Sequence, residues 1–146
     1  MKFFRQIQTL LGILAVTMSL SSLAWAAPAS KEELLQAVKD AVAKKDTAAI
    51  GALFATENAD PEMSAMSQGM AAEIVKGDVK DVTFEPLEDD FNPEMVVGTT
   101  VYRPNIPILG YIKFDLGGEN NMSITMPYGE KDGAYYLVMT TKGTVS

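Results

Sequence analysis

The 146-residue sequence contains no cysteine and no histidine. Without cysteine the chain has no disulfide bond, no thiol nucleophile and no thiolate metal ligand. Without histidine it lacks the side chain that most often acts as a general base and as a metal ligand near neutral pH. Most hydrolase triads and most zinc sites are therefore excluded, and the sequence predicts no catalytic residue, no metal site and no cofactor.

Basic residues are scarce, and two of them mark the N-terminus. Lys2 and Arg5 precede the mostly apolar stretch 10–20, and Ala24-Trp25-Ala26 places small residues at the two positions that a signal peptidase reads. This pattern predicts a signal peptide, residues 1–26, cleaved after Ala26, and hence a periplasmic or extracellular protein. The alternative is an uncleaved N-terminal anchor. No cysteine follows the apolar stretch, which excludes a lipoprotein anchor.

The remaining residues 27–146 are predicted to form one domain with an ordered core near 30–141. Both bases of the signal peptide are lost on cleavage, so the net charge of the mature chain is (12 − 2) − 19 = −9. Such a surface repels the phosphates of nucleic acids and of anionic lipids. The sequence therefore predicts no nucleic-acid partner, and no stable membrane anchor after cleavage.

Helical periodicity covers the first half of the mature chain and predicts three helices, near 31–45, 46–55 and 61–76. Ser30 and Glu33 have the spacing of a capping box, and Asp46 can cap the second helix. Asp60 precedes a proline at the first helical position of the third helix. Gly77 is predicted to end that helix in the left-handed conformation.

The third helix carries methionines at Met63, Met66 and Met70, and Ile74 continues the same stripe. Thioethers can bind Cu(I), which is a plausible ion in an exported protein. Methionine also fills irregular gaps in cores, and Ile74 binds no metal. The sequence therefore favours a buried stripe over a copper site.

After Gly77 the period changes to two, which predicts about five strands: 81–85, 95–102, 110–116, 122–126 and 135–140. Gly98 is interpreted as a bulge or a point of close approach within the second of these strands. The last two strands form a hairpin closed by the turn 128–133. The acidic segment 85–94 lacks the alternating aspartates of a calcium loop, so it is interpreted as a solvated connection.

These elements predict an α+β fold in which three N-terminal helices pack on a curved, mostly antiparallel sheet of about five strands. The segment 41–54, AVAKKDTAAIGALF, resembles the AxxxxDxxAlxxLf pattern of small exported bacterial members of the nuclear transport factor 2-like superfamily. Residues 132–135, Asp-Gly-Ala-Tyr, resemble the DGxW turn of the same proteins, with tyrosine where tryptophan is common. This resemblance covers nearly all of 30–141 and implies a cone with a cavity between helices and sheet.

Four residues are candidates for binding a ligand: Tyr102, Arg103, Asn105 and Tyr111. Arg103 is the only arginine after residue 26, and its planar fork can hold a carboxylate or phosphate through two hydrogen bonds. Asn105 and a tyrosine hydroxyl could add further bonds. The alternative, which we favour, is that Arg103 pairs with an acidic residue and braces its loop.

Three functions remain open at this point. The first is a non-catalytic exported domain that binds a small amphipathic ligand or a protein partner in the cavity. The second is a cofactor-free isomerase or dehydratase of the kind the fold hosts, with Asp115 as base and Tyr102 or Tyr111 as hydroxyl donor. The third is a homodimer joined sheet to sheet, with tyrosines as interface anchors: Tyr111, Tyr128 and Tyr136.

Overall fold

The computed structural model describes residues 26–146. The predicted signal peptide lies outside the described residues, except for Ala26 itself, so export and cleavage stay predictions. In the described part of the chain no helix is both long enough and apolar enough to cross a membrane. The helices are α1 (Lys31–Lys44), α2 (Thr47–Gly51) and α3 (Pro61–Lys76). The strands are β1 (Asp81–Glu85), β2 (Met95–Val97), β3 (Thr100–Pro104), β4 (Ile108–Gly117), β5 (Met122–Lys131), β6 (Ala134–Leu137) and β7 (Thr140–Thr144).

All three predicted helix starts are confirmed by hydrogen bonds from a capping side chain. The first N–H groups of a helix have no partner within it, so an oxygen placed just before the helix satisfies one of them. The bonds run from the N–H of Glu33 to Oγ of Ser30 (3.1 Å), from Ala49 to Oδ1 of Asp46 (3.0 Å), and from Met63 to Oδ1 of Asp60 (3.0 Å).

The helix ends were predicted less well. Helix α2 ends at Gly51 and not at Ala55. Gly77 has φ −75°, so the predicted left-handed conformation is wrong. Lys45 satisfies the end of α3 instead, because its Nζ donates to the carbonyl oxygens of Lys76 (3.1 Å) and Gly77 (2.9 Å).

Within residues 26–146 seven strands form two antiparallel sheets, in place of the single sheet of about five strands that the sequence predicted. The larger sheet has the order β1-β4-β5-β6, and the smaller has the order β2-β3-β7. The predicted strand 95–102 is wrong because the chain reverses at Gly98-Thr99, where Gly98 has φ +62°. A glycine with positive φ at the first position of a two-residue loop is typical of a tight hairpin turn.

The C-terminal hairpin is confirmed, with a shorter turn than predicted. Asp132 and Gly133 have φ of 52° and 79°, as expected for a type I′ turn, so β5 continues to Lys131. After Leu137 the chain leaves the larger sheet and enters the smaller one as β7. The two sheets are thus joined by the short crossover Val138–Met139.

The main core lies between the helices and the inner face of the larger sheet. Its fully buried side chains include Leu34 of α1, Ile50 of α2, Val75 of α3, and Ile112 and Phe114 of β4. Each of these is 0% exposed. The described residues contain no buried polar or charged side chain, so this core is held by apolar packing alone.

The predicted burial of the methionine stripe is wrong for Met66 and Met70, whereas Met63 is partly buried and Ile74 is buried. Met66 is 63% exposed and Met70 is 47% exposed. Helix α3 instead turns Ala71, Ile74 and Val75 into the core. A small residue such as Ala71 lets the helix approach its neighbours closely, whereas a stripe of methionines would hold it further away.

Candidate functional site

An apolar cavity of about 170 Å³ lies where α3, both sheets and the segment before β2 meet. Three methionines and three prolines dominate its lining: Met63, Met95, Met139, Pro93, Pro104 and Pro127. The remaining lining residues are Tyr102, Arg103, Ile108, Val138 and Thr140. The cavity therefore lies beside the smaller sheet, at the edge of the main core, to which its lining residue Met139 belongs.

The crossover between the sheets forms one wall of this cavity, and Asn105 holds it in place. The side-chain Nδ2 of Asn105 donates to the carbonyl oxygens of Ala55 (2.8 Å) and Glu57 (3.0 Å). Its Oδ1 accepts from the N–H of Met139 (2.9 Å), and its own N–H donates to the Met139 carbonyl (2.9 Å). The amide is thus committed to backbone groups, which gives Asn105 a structural role.

Arg103 lies at the rim of the cavity and pairs with an acidic residue. Its Nε donates to Oε1 of Glu94 at 2.7 Å, and the two side chains are 50% and 46% exposed. The pairing that the sequence favoured is present, and it ties β3 to the segment before β2. A role of Arg103 in ligand binding stays a prediction.

The two tyrosine candidates lie in different places. Tyr102 of β3 lines the cavity. Tyr111 points to the outer face of β4, where its ring meets that of Phe91 edge-on at a centroid distance of 6.1 Å. Burial raises the pKa of Tyr111 above its ordinary value, and the carboxylates of Glu88 and Glu85 raise it further. The four candidates therefore do not form one site.

The enzyme hypothesis required an acidic base inside the cavity. Asp115 lies on the polar outer face of β4, opposite Asp81 of β1, and its Oδ1 accepts from the N–H of Gly117 at 2.8 Å. Among the described residues no aspartate or glutamate lines the cavity. Asp115 cannot act as a base there, so that part of the hypothesis is wrong.

The tyrosines proposed as anchors of a dimer are also dispersed. Tyr128 is 6% exposed and packs against Phe84 at a centroid distance of 5.4 Å. Tyr128 belongs to the main core. Its ring also covers Gly110, where an added Cβ would lie 3.0 Å from the ring. Tyr128 therefore cannot serve as an interface anchor.

The grouping of the three cavity methionines was not predicted from the sequence, which singled out Met63 alone and placed it in a stripe with Met66 and Met70. Met63, Met95 and Met139 belong to a helix, an edge strand and a crossover, and no local pattern connects them. The sequence does contain one indication of the cavity's position. Pro104 and Pro107 predict a stiff connection at the end of a strand, and Pro104 lines the cavity.

No family model matches the chain, and no curated protein matches its sequence. Solved structures similar to it include an NTF2-like transpeptidase from Campylobacter jejuni, at 16% identity and a TM-score of 0.39 over 75% of this chain and 98% of that one. A chain named Rd1NTF2_05, with further substitutions, has 10% identity and a TM-score of 0.37 over 77% and 95%. A SEC-C motif-containing protein from Rhodopseudomonas palustris has 18% identity and a TM-score of 0.38 over 83% of each chain.

Two of these three proteins carry NTF2 in their names. At such TM-scores and identities the likeness assigns no family, activity, ligand or partner. The resemblance to the nuclear transport factor 2-like superfamily rests on the sequence patterns of residues 41–54 and 132–135.

Proposed function

We propose that the protein is an exported, non-catalytic binding domain whose cavity receives a small apolar group of a ligand or a protein partner. Export rests on the predicted signal peptide. Binding rests on one observation, the open apolar cavity beside the smaller sheet. Pockets of this kind, lined by apolar side chains with a few polar groups, are the usual binding sites of proteins.

The size of the cavity limits what it can hold. Its volume of about 170 Å³ is below the roughly 300–1,000 Å³ of pockets that enclose drug-sized ligands. It is close to the ~150 Å³ of an apolar cavity that holds benzene. The group that enters is therefore about the size of one aromatic ring or one branched aliphatic side chain.

The lining favours an apolar group over an anion. Thioethers are flexible and polarizable, so Met63, Met95 and Met139 can adapt to the occupant and contact an aromatic ring. The cationic Arg103 at the rim is already paired with Glu94. An anionic head group would have to compete with that carboxylate, which lowers the gain from binding there.

Methyl NMR on protein labelled with ¹³C at the methionine methyl groups tests this proposal, with toluene as the probe. We expect toluene to shift the signals of Met63, Met95 and Met139 in a saturable manner. Met122 lies at the far end of β5 and is 59% exposed, so its signal serves as an internal control. Shifts of equal size at Met122, or no saturation, would contradict the proposal.

A pair of variants sharpens the test. Met63→Trp places an indole in the cavity from the first turn of α3, and we expect it to abolish the toluene shifts of Met95 and Met139. Met66→Trp adds the same group one turn later, at a position 63% exposed, and is expected to leave them intact.

A further inference from the structure

The strand next to the cavity has an unusual edge. The three residues of β2 are all apolar and all exposed: Met95 54%, Val96 58% and Val97 57%. Among the described strands β2 pairs with β3 alone, so its other edge is free. Native edge strands are usually protected by charge, proline or a bulge within the strand, and β2 has none of these.

The register shows which backbone groups face that free edge. Val97 and Thr100 flank the two-residue turn at Gly98-Thr99, so they form the hydrogen-bonded pair that closes the hairpin. Hydrogen-bonded and non-hydrogen-bonded pairs alternate in antiparallel strands. Val96, opposite Val101, therefore directs its N–H and C=O away from β3 and toward the free edge.

The edge and the cavity share one residue. Met95 belongs to β2 and also lines the cavity. Successive side chains of a strand point to opposite faces, so Met95 faces the same side as its partner Tyr102, which also lines the cavity. A residue of an added strand opposite Met95 would point its side chain to this same side.

The segment that leads into the edge is acidic, with five carboxylates and no lysine or arginine in residues 85–94: Glu85, Glu88, Asp89, Asp90 and Glu94. Glu94 is the one that immediately precedes β2, and it is paired with Arg103. The cations of the smaller sheet, Arg103 and Lys142, lie on β3 and β7 and not on β2. A partner that approaches this edge gains from positive charge on the residues that flank its apolar centre.

We propose that the free edge of β2 binds an extended peptide segment, apolar at its centre and basic at its flanks, which pairs as an added strand and inserts one side chain into the cavity. This inference rests on the proposed function of the cavity and names the partner that supplies the apolar group. Strand addition works in this way in general: main-chain bonds give affinity, and a pocket beside the strand gives specificity.

The probe is the peptide acetyl-Lys-Val-Thr-Phe-Thr-Val-Lys-amide, whose Val, Phe and Val lie on one face when it is extended. We expect it to bind, to shift the methyl signals of Met63 and Met95, and to weaken about tenfold or more when its central Phe is replaced by Ala. Replacing both Lys of the peptide by Glu is expected to weaken its binding as strongly. About 0.5 M salt should reduce the difference in affinity between the Lys peptide and the Glu peptide, because salt screens charge.

Two changes, one in the protein and one in the peptide, test the hydrogen bonds at the free edge of β2. Val96→Pro removes the outward N–H without removing a bond to β3, and we expect about tenfold weaker binding of the peptide. Thermal unfolding checks that this variant is folded. A peptide methylated on the backbone nitrogens that face β2 tests the same bond with the unaltered protein, and we expect the same loss.

The outcomes separate the two proposals. If toluene occupies the cavity and the peptide does not bind, or binds equally to Val96→Pro and in its methylated form, strand addition is overturned and the cavity function stands. If toluene does not enter the cavity, the proposed function is overturned, and this inference with it. Loss of peptide binding in both Met63→Trp and Val96→Pro, with Met66→Trp unaffected, supports both.

Discussion

The central strand β4 of the larger sheet and the edge strand β2 of the smaller sheet both carry apolar residues, but they differ in how far those residues are buried. In the larger sheet, Ile112 and Phe114 of β4 are 0% exposed beneath the helices. In the smaller sheet, every residue of β2 is more than half exposed. The larger sheet contributes stability, because apolar surface removed from water is the main favourable term in folding. In the smaller sheet, the apolar side chains of β2 stay in contact with solvent.

The difference follows from strand length and covering. Strands β4 and β5 have ten residues each and pair along most of their length, and α1 covers the sheet they form. Strand β2 has three residues, and none of the described helices covers it. The acidic segment before β2 is itself mostly exposed to solvent. Apolar sequence alone therefore does not decide burial; Val96 and Val82 are the same residue type in opposite environments.

The largest expected effect comes from emptying the core of the larger sheet. Phe114→Ala leaves a cavity at a fully buried position, so we expect the free energy of unfolding to fall by about 3–5 kcal/mol. Val97→Ala in the smaller sheet is the matched control, and its effect should stay within about 0.5 kcal/mol. Chemical denaturation measures both. Similar losses in the two variants would contradict the contrast between the sheets.

The next effect concerns the connection between the sheets. Asn105→Ala removes an amide that bonds to Ala55, Glu57 and Met139, and at least part of that backbone is then left without a partner. We expect a loss of about 1–3 kcal/mol in unfolding free energy. Asn92→Ala serves as the control, because it removes a single solvent-exposed hydrogen bond, in which Oδ1 of Asn92 accepts from the N–H of Glu94. Equal losses would show that Asn105 does not hold the crossover.

A smaller effect is expected at the rim of the cavity. Arg103→Lys loses the geometry of the Nε bond to Glu94, and because both side chains are about half exposed the cost should be at most ~1 kcal/mol. Toluene binding should not change, since Arg103 is a brace in this account. A loss of toluene affinity with unchanged stability would instead make Arg103 part of the binding site.

The smallest effect is expected at the methionine that the sequence placed in the core. Met66 is 63% exposed, so Met66→Ala should change the unfolding free energy by no more than about 0.5 kcal/mol. Ile74→Ala, on the buried face of the same helix, should cost about 2–5 kcal/mol. If the two variants ranked in the reverse order, the described orientation of α3 would be wrong.

Local features were predicted well because few neighbouring residues determine them. The cap at Asp60 depends on one side chain and the N–H three residues later, and the turn at Asp132-Gly133 depends on two residues that tolerate positive φ. The order of helices followed by strands required only the change of period near Gly77. An α+β fold with antiparallel pairing could therefore be predicted.

What could not be predicted depends on contacts between distant segments. Helix α3 has two possible apolar faces, one with Met66 and Met70 and one with Ala71 and Val75. Only the packing of the helix against the rest of the chain decides which face is buried. The split of residues 95–102 follows from the reversal at Gly98-Thr99, but the pairing of its second half with β7, where Thr100 lies opposite Thr144, joins segments that are distant in sequence. The cavity unites residues as distant in sequence as Met63 and Met139, so no local pattern reveals it.

The most direct test concerns the proposal that the apolar cavity beside the smaller sheet admits a small apolar guest, whereas the fully buried region around Phe114 does not. A crystal structure determined under xenon pressure tests it directly, because xenon enters dry apolar cavities. We expect a xenon atom in contact with Met63, Met95 and Met139 and none around Phe114. Xenon between the helices and the larger sheet, with none beside Met95, would contradict it.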